Sequence, residues 1–485
     1  MIFKHKLYWG VLTAFAGLVL ITLWMIFYRL GVNTLENWDE AFYAQVTREM
    51  IRRGEPIIMY WNGNTFTDKT PLQFWINSLI ALALGLNEFS IRLVSAVSGL
   101  LVIAVTTWYS YKRFGFVPAL FAWASLALNQ VFMWRARSGN LDTLTALLFV
   151  AIVFLSLTKL NTKKSIALGV LLALIFLQRT MMLYFGLCIV GIALIYEKEP
   201  LGVRAAYLVT MFCFLSLTLL PWIKIGDLRG GPGYVSYFFF DSSHGATNIG
   251  TQFAHTEYFS FLYYSLQRRL VIPLLIGVGV ALMAWRKKES AIMLFASFSL
   301  LFLLSFSEAH NNWYLVPAMP FWSVLIAQGV YAVLTFARQF KLQPAAAILM
   351  LIPLLYISYK TFTVNMYAII RGGANEVEKE TATYINRHSK PTDVIFRTDN
   401  AYPVTIYYAD RKVLYDIQFT KDHIERLQAG EFQWIVGHTD TVQQFLTLGK
   451  KNGYTGPYAT KQIENETVVK LCTHTPCTIK IDEVK

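Results

Sequence analysis

The chain has 485 residues, of which 55% are hydrophobic and only 15% are charged. That composition is too apolar for a soluble globular protein and is typical of a chain embedded in lipid. A net charge of +13 would suggest nucleic acid as the partner of a soluble protein, but here the cationic residues cluster at the ends of apolar runs, where lipid headgroups lie. The sequence therefore favours membrane lipids as partners and excludes nucleic acid.

Apolar runs long enough to cross a bilayer fill roughly the first three quarters of the chain. They predict a polytopic α-helical membrane protein with about eleven transmembrane helices. The first run is longer than the core of a secretory signal and lacks a small-residue cleavage site, so we interpret it as a retained helix. The predicted spans lie near residues 7–30, 90–111, 116–134, 140–158, 165–180, 181–196, 203–223, 269–285, 290–307, 313–337 and 344–364.

The charge distribution predicts the orientation of these spans. If the N-terminus is cytoplasmic, lysine and arginine accumulate at every inward turn, which is the positive-inside pattern. The C-terminal tail then lies outside, because the number of spans is odd. We expect a bacterial plasma-membrane protein whose active site and tail are extracytoplasmic. The outward segments are residues 31–90, 135–140, 224–268 and 307–312.

From about Asn375 the composition becomes that of a soluble domain. We expect two domains, a membrane domain over 1–370 and a small extracytoplasmic α/β domain over 371–485. Cys472 and Cys477 are spaced to form a disulfide if the tail is extracytoplasmic. The tail begins with an amphipathic run over 375–388; predicted strands follow at 394–397, 404–408, 413–415, 434–436 and 468–471, and predicted helices at 421–427 and 441–448.

The segment 31–90 contains polar residues that a passive membrane span does not need. Asp39 and Glu40 fall in the first turn of a short predicted helix, where the positive end of the helix dipole favours carboxylates. For each acid alone, helix capping is therefore the simpler interpretation. Tyr43, Arg48 and Arg52 follow on the same helix.

A second feature of segment 31–90 is Asp68-Lys69, which precedes an aromatic-rich stretch containing Trp75. The stretch is too short to span comfortably and fits a helix lying in the membrane interface. Lys69 there can be a membrane anchor. Together with Arg48 and Arg52, however, it forms a set of cations in an outward segment, and an anionic lipid phosphate would account for these cations.

Two further outward turns contain candidate residues. Arg137 and Asp142 flank the turn after the third predicted span. Capping is again an alternative for Asp142, but a carboxylate at the edge of hydrocarbon is a functional candidate by default. His310 and Tyr314 lie in a later turn, where a lone histidine is more often a hydrogen-bonding interface residue than a catalyst.

The outward segments also share a pattern of spaced residues, formed by Asp39-Glu40, Tyr43, Arg48-Glu49-Met50, Gly54, Asn62-Gly63, Asp68-Lys69, Pro71, Trp75, Asn87 to Leu93, Tyr314 to Pro317 and Pro320. This pattern resembles that of the GT-C glycosyltransferases related to protein O-mannosyltransferase and lipid A aminoarabinose transferase (glycosyltransferase families 39 and 83). The resemblance covers most of the membrane portion. As a set, these spacings are specific to the superfamily and poorly specific for any one substrate.

The resemblance implies a GT-C fold, a polyprenyl phosphate sugar donor (undecaprenyl or similar), and an acceptor hydroxyl on a lipid, glycan or protein. It also implies that Asp39 lies near the reacting centre. Three positions depart from the pattern: Phe42, where members that handle aminoarabinose tend to have arginine, Thr67, and Thr70 in place of the first of two prolines. These departures argue against lipid A aminoarabinose transfer and leave the phosphate-binding role of Lys69 intact.

The chemistry expected is a single displacement with inversion, by a hexosyl- or pentosyltransferase. Asp39 would accept the acceptor's proton, with Glu40 or Asp142 orienting the acceptor or sharing the task. Fixed cations would neutralise the departing phosphate. For that role the sequence offers Lys69, Arg137, Arg48 and Arg52, and for substrate contacts Tyr43, Asp68, Trp75, His310 and Tyr314.

Two alternatives stay open. No histidine or cysteine spacing predicts a metal site, so no cofactor is assigned, although clustered carboxylates leave a divalent metal open. The rival function is a lipid or sugar transporter or flippase that forms no glycosidic bond. That rival predicts ionisable residues near mid-membrane and repeated halves, whereas the charges here concentrate at one face and we find no repeat.

Overall fold

The structure is a computed structural model that describes residues 2–240, 260–262, 270–306, 311–371, 375–416, 419–472 and 476–479. The described residues up to 371 form a helical bundle, and a mixed five-stranded sheet with helices follows it. The bundle helices are α1 (Ile2–Phe27), α2 (Asp39–Arg53), α3 (Leu72–Leu84), α4 (Glu88–Phe114), α5 (Phe116–Ala127), α6 (Gln130–Arg137), α7 (Asp142–Leu157), α8 (Thr162–Gln178), α9 (Met181–Ile195), α10 (Leu201–Gly230), α11 (Tyr234–Phe240), α12 (Val271–Met283), α13 (Lys288–Leu304), α14 (Met319–Gln339) and α15 (Gln343–Arg371).

A multi-pass helical architecture agrees with the sequence-based expectation. Within the described ranges, four helices are long and apolar enough to cross a bilayer on length and composition, namely α4, α10, α14 and α15. Several shorter apolar helices accompany them, α7, α9 and α12 among these. The count of about eleven spans therefore stays a prediction.

The span predicted at 116–134 is a bent pair of helices and not one straight helix. Helices α5 and α6 meet at 60°. The break occurs at Asn129, whose backbone is extended and whose side chain accepts a hydrogen bond from the N–H of Phe132. This N-cap starts a new helix in a new direction. The bend turns the end of α6 towards the start of α7, where the candidate site lies.

Small residues allow the helices of the bundle to approach closely. Gly277 on α12 and Gly329 on α14 face each other, and a Cβ on either would lie 1.9 Å from a backbone oxygen of the other helix. Close backbone approach at small residues is the usual way helices associate in lipid, where no hydrophobic driving force draws them together. One continuous apolar core runs through the bundle.

Segment 31–90 contains α2, a small hairpin and α3. The hairpin pairs β1 (Tyr60–Trp61) with β2 (Asn64–Thr65) in antiparallel fashion. Its turn is Asn62-Gly63, both with positive φ (52° and 84°), as a two-residue turn of this type requires. The hairpin brings Thr65 towards the Asp68-Lys69 pair that precedes α3.

The sheet after the bundle has the strand order β4-β3-β5-β7-β6. The strands β3, β4 and β5 run parallel, while β7 is antiparallel to both β5 and β6. Side chains alternate between the two faces of the sheet, and each face is covered by helices. The elements are α16 (Glu376–His388), β3 (Val394–Arg397), α17 (Tyr402–Ala409), β4 (Lys412–Tyr415), α18 (Lys421–Gln428), β5 (Trp434–His438), α19 (Thr439–Lys451), β6 (Tyr458–Ile463) and β7 (Glu466–Leu471). A disulfide joins Cys472 to Cys477.

One predicted strand of the tail is wrong, and one strand was missed. Residues 404–408 lie in helix α17, which begins at Tyr402 with Pro403 in its first turn. The helix is buried all round because Ile406 packs with the sheet while Val404 and Tyr407 pack with α2, so its apolar run has the composition of a strand. The missed strand is β6, whose polar residues are largely exposed at the edge of the sheet.

Candidate active site

Five parts of the chain converge at the end of the bundle that faces the sheet. They are the start of α2, the end of α6, the start of α7, the end of α8 and the residues just before α3. The charged side chains they contribute are described in turn below.

Asp39 presents a carboxylate that is held in place yet accessible. Its side chain is 38% exposed, and its Oδ2 accepts a hydrogen bond from Nη2 of Arg135 at 2.6 Å. Its Oδ1 accepts one from the hydroxyl of Tyr43, one helical turn further along, at 3.2 Å. Burial, followed by the nearby charges of Asp39 and Asp68, raises the pKa of the Tyr43 phenol well above its usual range. Tyr43 therefore stays protonated and keeps donating to Asp39.

Arg135 connects Asp39 to a second carboxylate. The buried Arg135 guanidinium also contacts Oδ2 of Asp142 through Nε at 2.5 Å. Arg179, at the end of α8, lies 3.1 Å from the other carboxylate oxygen of Asp142. The result is an alternating row of charges in the order Asp39, Arg135, Asp142, Arg179. Because each buried charge has an opposite neighbour, none is left uncompensated.

Aromatic rings surround the two arginines of this row. The Cζ atom of Arg135 lies 5.0 Å from the ring centroid of Trp134 and 5.3 Å from that of Trp313. The Cζ atom of Arg179 lies 5.5 Å from the ring centroid of Tyr314. These distances are within the range of cation–π interactions, and such interactions are stronger where water is excluded. Tyr314, expected from the sequence as a substrate contact, thus lies at the site beside Arg179.

Lys69 and Asp68 lie beside the row, on the approach to α3. The Lys69 ammonium is 2.7 Å from Oδ2 of Asp68, and the two side chains are 31% and 61% exposed. The Asp68 carboxylate is close enough to influence the Tyr43 phenol. Trp75 is one helical turn into α3 and donates its indole N–H to the carbonyl of Pro56 at 2.6 Å. Lys69 is therefore a partly exposed cation whose ion-pair partner among the described residues, Asp68, is exposed and acts on Tyr43.

Asp142 corrects one expectation. Its side chain is fully buried, and its carboxylate faces two arginines. A carboxylate that is fully buried and paired with two arginines fits a structural role better than contact with an acceptor. It orients Arg135 and Arg179 instead.

Glu40 corrects a second expectation. It is 1% exposed, and both of its oxygens are occupied by Arg92, at 2.7 Å from Nε and 2.8 Å from Nη2. The N–H groups of Gly139 and Glu36 donate to the same carboxylate. Successive residues of a helix point about 100° apart. Glu40 therefore enters the core while Asp39 faces the site.

The expected phosphate-binding roles of three arginines are also corrected. Arg137 donates to the carbonyls of Met25, Ile26 and Tyr28, which need partners because they end helix α1. Arg48 and Arg52 both reach Asp410, at the end of α17, at 3.3 Å and 2.5 Å. All three therefore serve structural contacts. His310 lies outside the described residues.

The sequence interpretation missed Arg135, Arg179 and Glu36. Arg179 had a readable signal, because it is a charge between two apolar runs, and such charges are functional candidates by default. Glu36 accepts a hydrogen bond from the indole of Trp134 at 2.6 Å. Burial and the neighbouring charge of Glu40 raise the pKa of Glu36 from 4.5 to about 7. Nothing in the sequence around Glu36 indicates that Trp134, almost one hundred residues further along the chain, lies against it.

The side chains of the site are suited to acid–base catalysis and to binding a phosphate group. Among the residues that the structure describes, no group of three or more His, Cys, Asp or Glu side chains is placed to hold a metal ion. The exposed carboxylate of Asp39 can accept a proton. Lys69 and the partly exposed Arg179 can stabilise negative charge.

Comparisons with known proteins agree with this chemistry. Residues 68–222 match the family model described as dolichyl-phosphate-mannose-protein mannosyltransferase. Two undecaprenyl phosphate-alpha-4-amino-4-deoxy-L-arabinose arabinosyl transferases of Proteus mirabilis are 25% and 27% identical to the chain, over 63% and 67% of its length. The aligned regions span 59% and 61% of those relatives, so the chain covers less than two thirds of their length.

The fold is similar to the crystal structure of ArnT from Cupriavidus metallidurans bound to undecaprenyl phosphate, with a TM-score of 0.74. The superposition covers 97% of this chain and 99% of that one, at 15% sequence identity. At that identity the likeness concerns the fold alone. The family match and the sequence relatives likewise make the chain similar to lipid-phosphate-dependent glycosyltransferases of membranes.

Proposed function

We propose that this protein transfers a sugar, a hexose or a pentose, from a polyprenyl phosphate donor to a hydroxyl group of a lipid, glycan or protein. The reaction takes place at the outer face of the plasma membrane. The observation that carries the proposal is the partly exposed carboxylate of Asp39, held by Arg135 and by Tyr43, whose phenol also lies within the influence of the Asp68 carboxylate paired with Lys69.

Asp39 acts as the general base. As the acceptor oxygen bonds to the anomeric carbon of the sugar, its proton passes to the free part of the Asp39 carboxylate. Arg135 and Tyr43 keep that carboxylate oriented. General base catalysis by a positioned carboxylate contributes on the order of 10²–10⁴-fold in rate.

The second half of the reaction concerns the leaving group. The bond between the anomeric carbon and the phosphate oxygen breaks, and its electron pair stays on the polyprenyl phosphate. Lys69 exchanges its contact with Asp68 for the phosphate, and Arg179 supplies a second cation. Fixed cations that meet charge developing in the transition state are the most effective electrostatic catalysts. Asp142 holds Arg135 and Arg179 and contacts no substrate.

The donor class is supported by the relatives. The Proteus mirabilis proteins are named for an undecaprenyl phosphate-linked aminoarabinose, and the similar ArnT structure holds undecaprenyl phosphate. The sugar is a separate matter. Phe42, at the position where aminoarabinose members tend to have arginine, stacks on Trp61 at 4.2 Å between ring centroids. This position departs from the aminoarabinose pattern, so the proposed donor is given as a hexose or a pentose and not as aminoarabinose.

The test uses purified protein in liposomes with synthetic polyprenyl phosphate sugars and a panel of acceptors. Mass spectrometry should detect a new glycosidic bond and free polyprenyl phosphate. Lys69→Ala should weaken donor binding and turnover together, because it removes the accessible cation. Lys421→Ala, on exposed helix α18 of the sheet domain, is the matched control and should leave both unchanged.

The rival function makes the opposite prediction in the same liposomes. A transporter or flippase would move the lipid-linked sugar across the bilayer and leave its anomeric bond to phosphate intact. Translocation without a new glycosidic bond would contradict the proposal. Comparison of envelope glycans and lipid A from cells with and without the gene would then identify the acceptor.

A further inference from the structure

We propose that Asp410, at the end of α17, is a positioning residue for catalysis, acting through Arg48 and Arg52 to hold the helix that carries Asp39. The inference rests on the proposed function, because it assigns Asp410 a role in the same reaction. The sheet domain then supports catalysis indirectly, by holding the helix that carries Asp39.

Helix α2 lies between the bundle and the sheet domain. On one side Tyr43, Val46 and Met50 enter the core of the bundle. On the other side Ala41 and Ala44 pack against α17 of the sheet domain. Two alanines on this face let the helices approach closely. The direction of α2 therefore depends on both neighbours.

The polar contacts between α2 and α17 concentrate at one residue. Both carboxylate oxygens of Asp410 accept hydrogen bonds from Arg52, at 2.7 Å and 2.5 Å, and Arg48 lies 3.3 Å away. Arg48 also donates to the carbonyl of Tyr407 at 2.5 Å, and its Cζ atom lies 4.0 Å from that ring centroid. A two-point arginine–carboxylate contact fixes orientation as well as distance.

The backbone of Asp410 suits this position. Its φ of 54° is left-handed and ends α17, with its N–H bonded to the carbonyl of Ile406. Asparagine and aspartate tolerate this conformation better than other residues with a Cβ. Burial alone would raise the pKa of Asp410, but the hydrogen bond from Arg52 and the charge of Arg48 outweigh it and hold that pKa below its ordinary value. The carboxylate is therefore charged at neutral pH.

The Asp410 contact acts on the half of α2 that lies far from Asp39. The first turn of α2 is held by Glu40 and Arg92, which fixes its place but not the direction of the helix. Arg52 is thirteen residues beyond Asp39, or about 20 Å along the helix axis. Loss of its contact removes one of the two sides that set the direction of α2, so the whole helix can shift against the bundle and change how Asp39 and Tyr43 meet Arg135. Since misplacement of about 1 Å can cost 10²-fold in rate, a smaller shift should cost about tenfold.

The primary variant is Asp410→Asn, which keeps the shape and the left-handed backbone but removes the charge. We expect kcat to fall about tenfold with the KM for the donor unchanged, because the donor phosphate is bound elsewhere. Arg52→Gln should lower kcat in the same direction and by no more, because Arg48 still reaches Asp410, and the double variant should lose no more than Asp410→Asn alone. The matched control is Glu431→Gln, which removes a carboxylate paired with Arg426 inside the sheet domain, away from α2.

A second measurement does not depend on activity. Hydrogen exchange of the α2 amides should be faster in Asp410→Asn than in the wild type, and unchanged in Glu431→Gln. With an active wild-type enzyme, an unchanged kcat or additive losses in the double variant would overturn this inference alone. A wild-type protein that transfers no sugar, with α2 still loosened in Asp410→Asn, would overturn the proposed function instead.

Discussion

Asp39 and Glu40 are neighbours in the sequence and have opposite surroundings in the structure. Asp39 is partly exposed and accepts from Arg135 and Tyr43, whereas Glu40 is buried against Arg92. The difference comes from the 100° between successive side chains of a helix, combined with the bundle on one side of α2. Two acids of the same chemistry therefore fit different roles, the proposed catalytic one for Asp39 and a structural one for Glu40.

We predict that substitution separates these roles. Asp39→Asn should lower kcat by at least about 10²-fold, as loss of a general base does, and leave thermal stability close to that of the wild type. Glu40→Gln should lower the free energy of unfolding by about 3–5 kcal/mol, because it leaves Arg92 buried without its charge partner. Thermal unfolding and turnover of both proteins test this. An Asp39→Asn protein with wild-type turnover would remove Asp39 from the mechanism.

Glu36 makes stability depend on pH. Its pKa is about 7 in the folded protein against an ordinary 4.5, so between these values the folded protein binds a proton that the unfolded chain has lost. Stability should therefore fall as pH rises through this window and level off above about pH 7. Glu36→Gln keeps an acceptor for Trp134 and should flatten this dependence. The thermal unfolding midpoints of the wild type and of Glu36→Gln, each measured at pH 5 and pH 8, test this prediction. An equal change of midpoint between the two pH values in both proteins would contradict it.

At the scale of elements, breaks in helices and ends of helices position the charged groups. The bend between α5 and α6 brings Arg135 to Asp39, and the ends of α7 and α8 bring Asp142 to Arg179. Helix ends carry backbone groups without intrahelical partners, so polar side chains gather there. Arg137 illustrates this at the end of α1, where it serves three carbonyls.

The sheet has a buried ion pair of its own. Arg397 on β3 and Glu466 on β7 are fully buried and contact each other, and Arg397 also contacts Asp399 at 2.8 Å. We predict that Glu466→Gln destabilises the sheet domain by about 3–5 kcal/mol, since one partner of a buried pair is removed. Glu464→Gln, two residues away and exposed, is the control. Equal denaturation midpoints for the two variants would contradict the prediction.

At the scale of the whole molecule, the site and the sheet domain lie at the same end of the bundle. Contacts such as Leu35 with Tyr408, and Asn62 with Val413, tie segment 31–90 to that domain. Both must therefore face the same side of the membrane. The accumulation of lysine and arginine at the opposite turns predicts that this side is the exterior.

The orientation is a prediction that labelling can test. In a protein whose Cys188 and Cys213 are replaced by serine, single cysteines at positions 68 and 412 should react with an impermeant maleimide in intact spheroplasts. A cysteine at position 287, in the exposed turn between α12 and α13, should react only after lysis. Labelling of position 287 from outside would reverse the assignment.

The sequence alone determined the class of the molecule and part of its site. Apolar runs identify membrane helices because their length must match the bilayer, and the spacing around Asp39 and Lys69 indicated the superfamily. Local patterns of this kind depend on neighbours in the chain. They located Asp39, Tyr43, Asp68 and Lys69, which the structure brings together.

Only the tertiary structure decided which of the remaining charges take part. Arg135 and Arg137 are two residues apart and equally basic in the sequence, yet one contacts Asp39 and the other ends α1. Arg48 and Arg52 are bound by Asp410, more than 350 residues away in the chain. Partners this distant are chosen by how helices pack and by which face is buried. The same long-range packing made α17 a helix although its residues are typical of a strand.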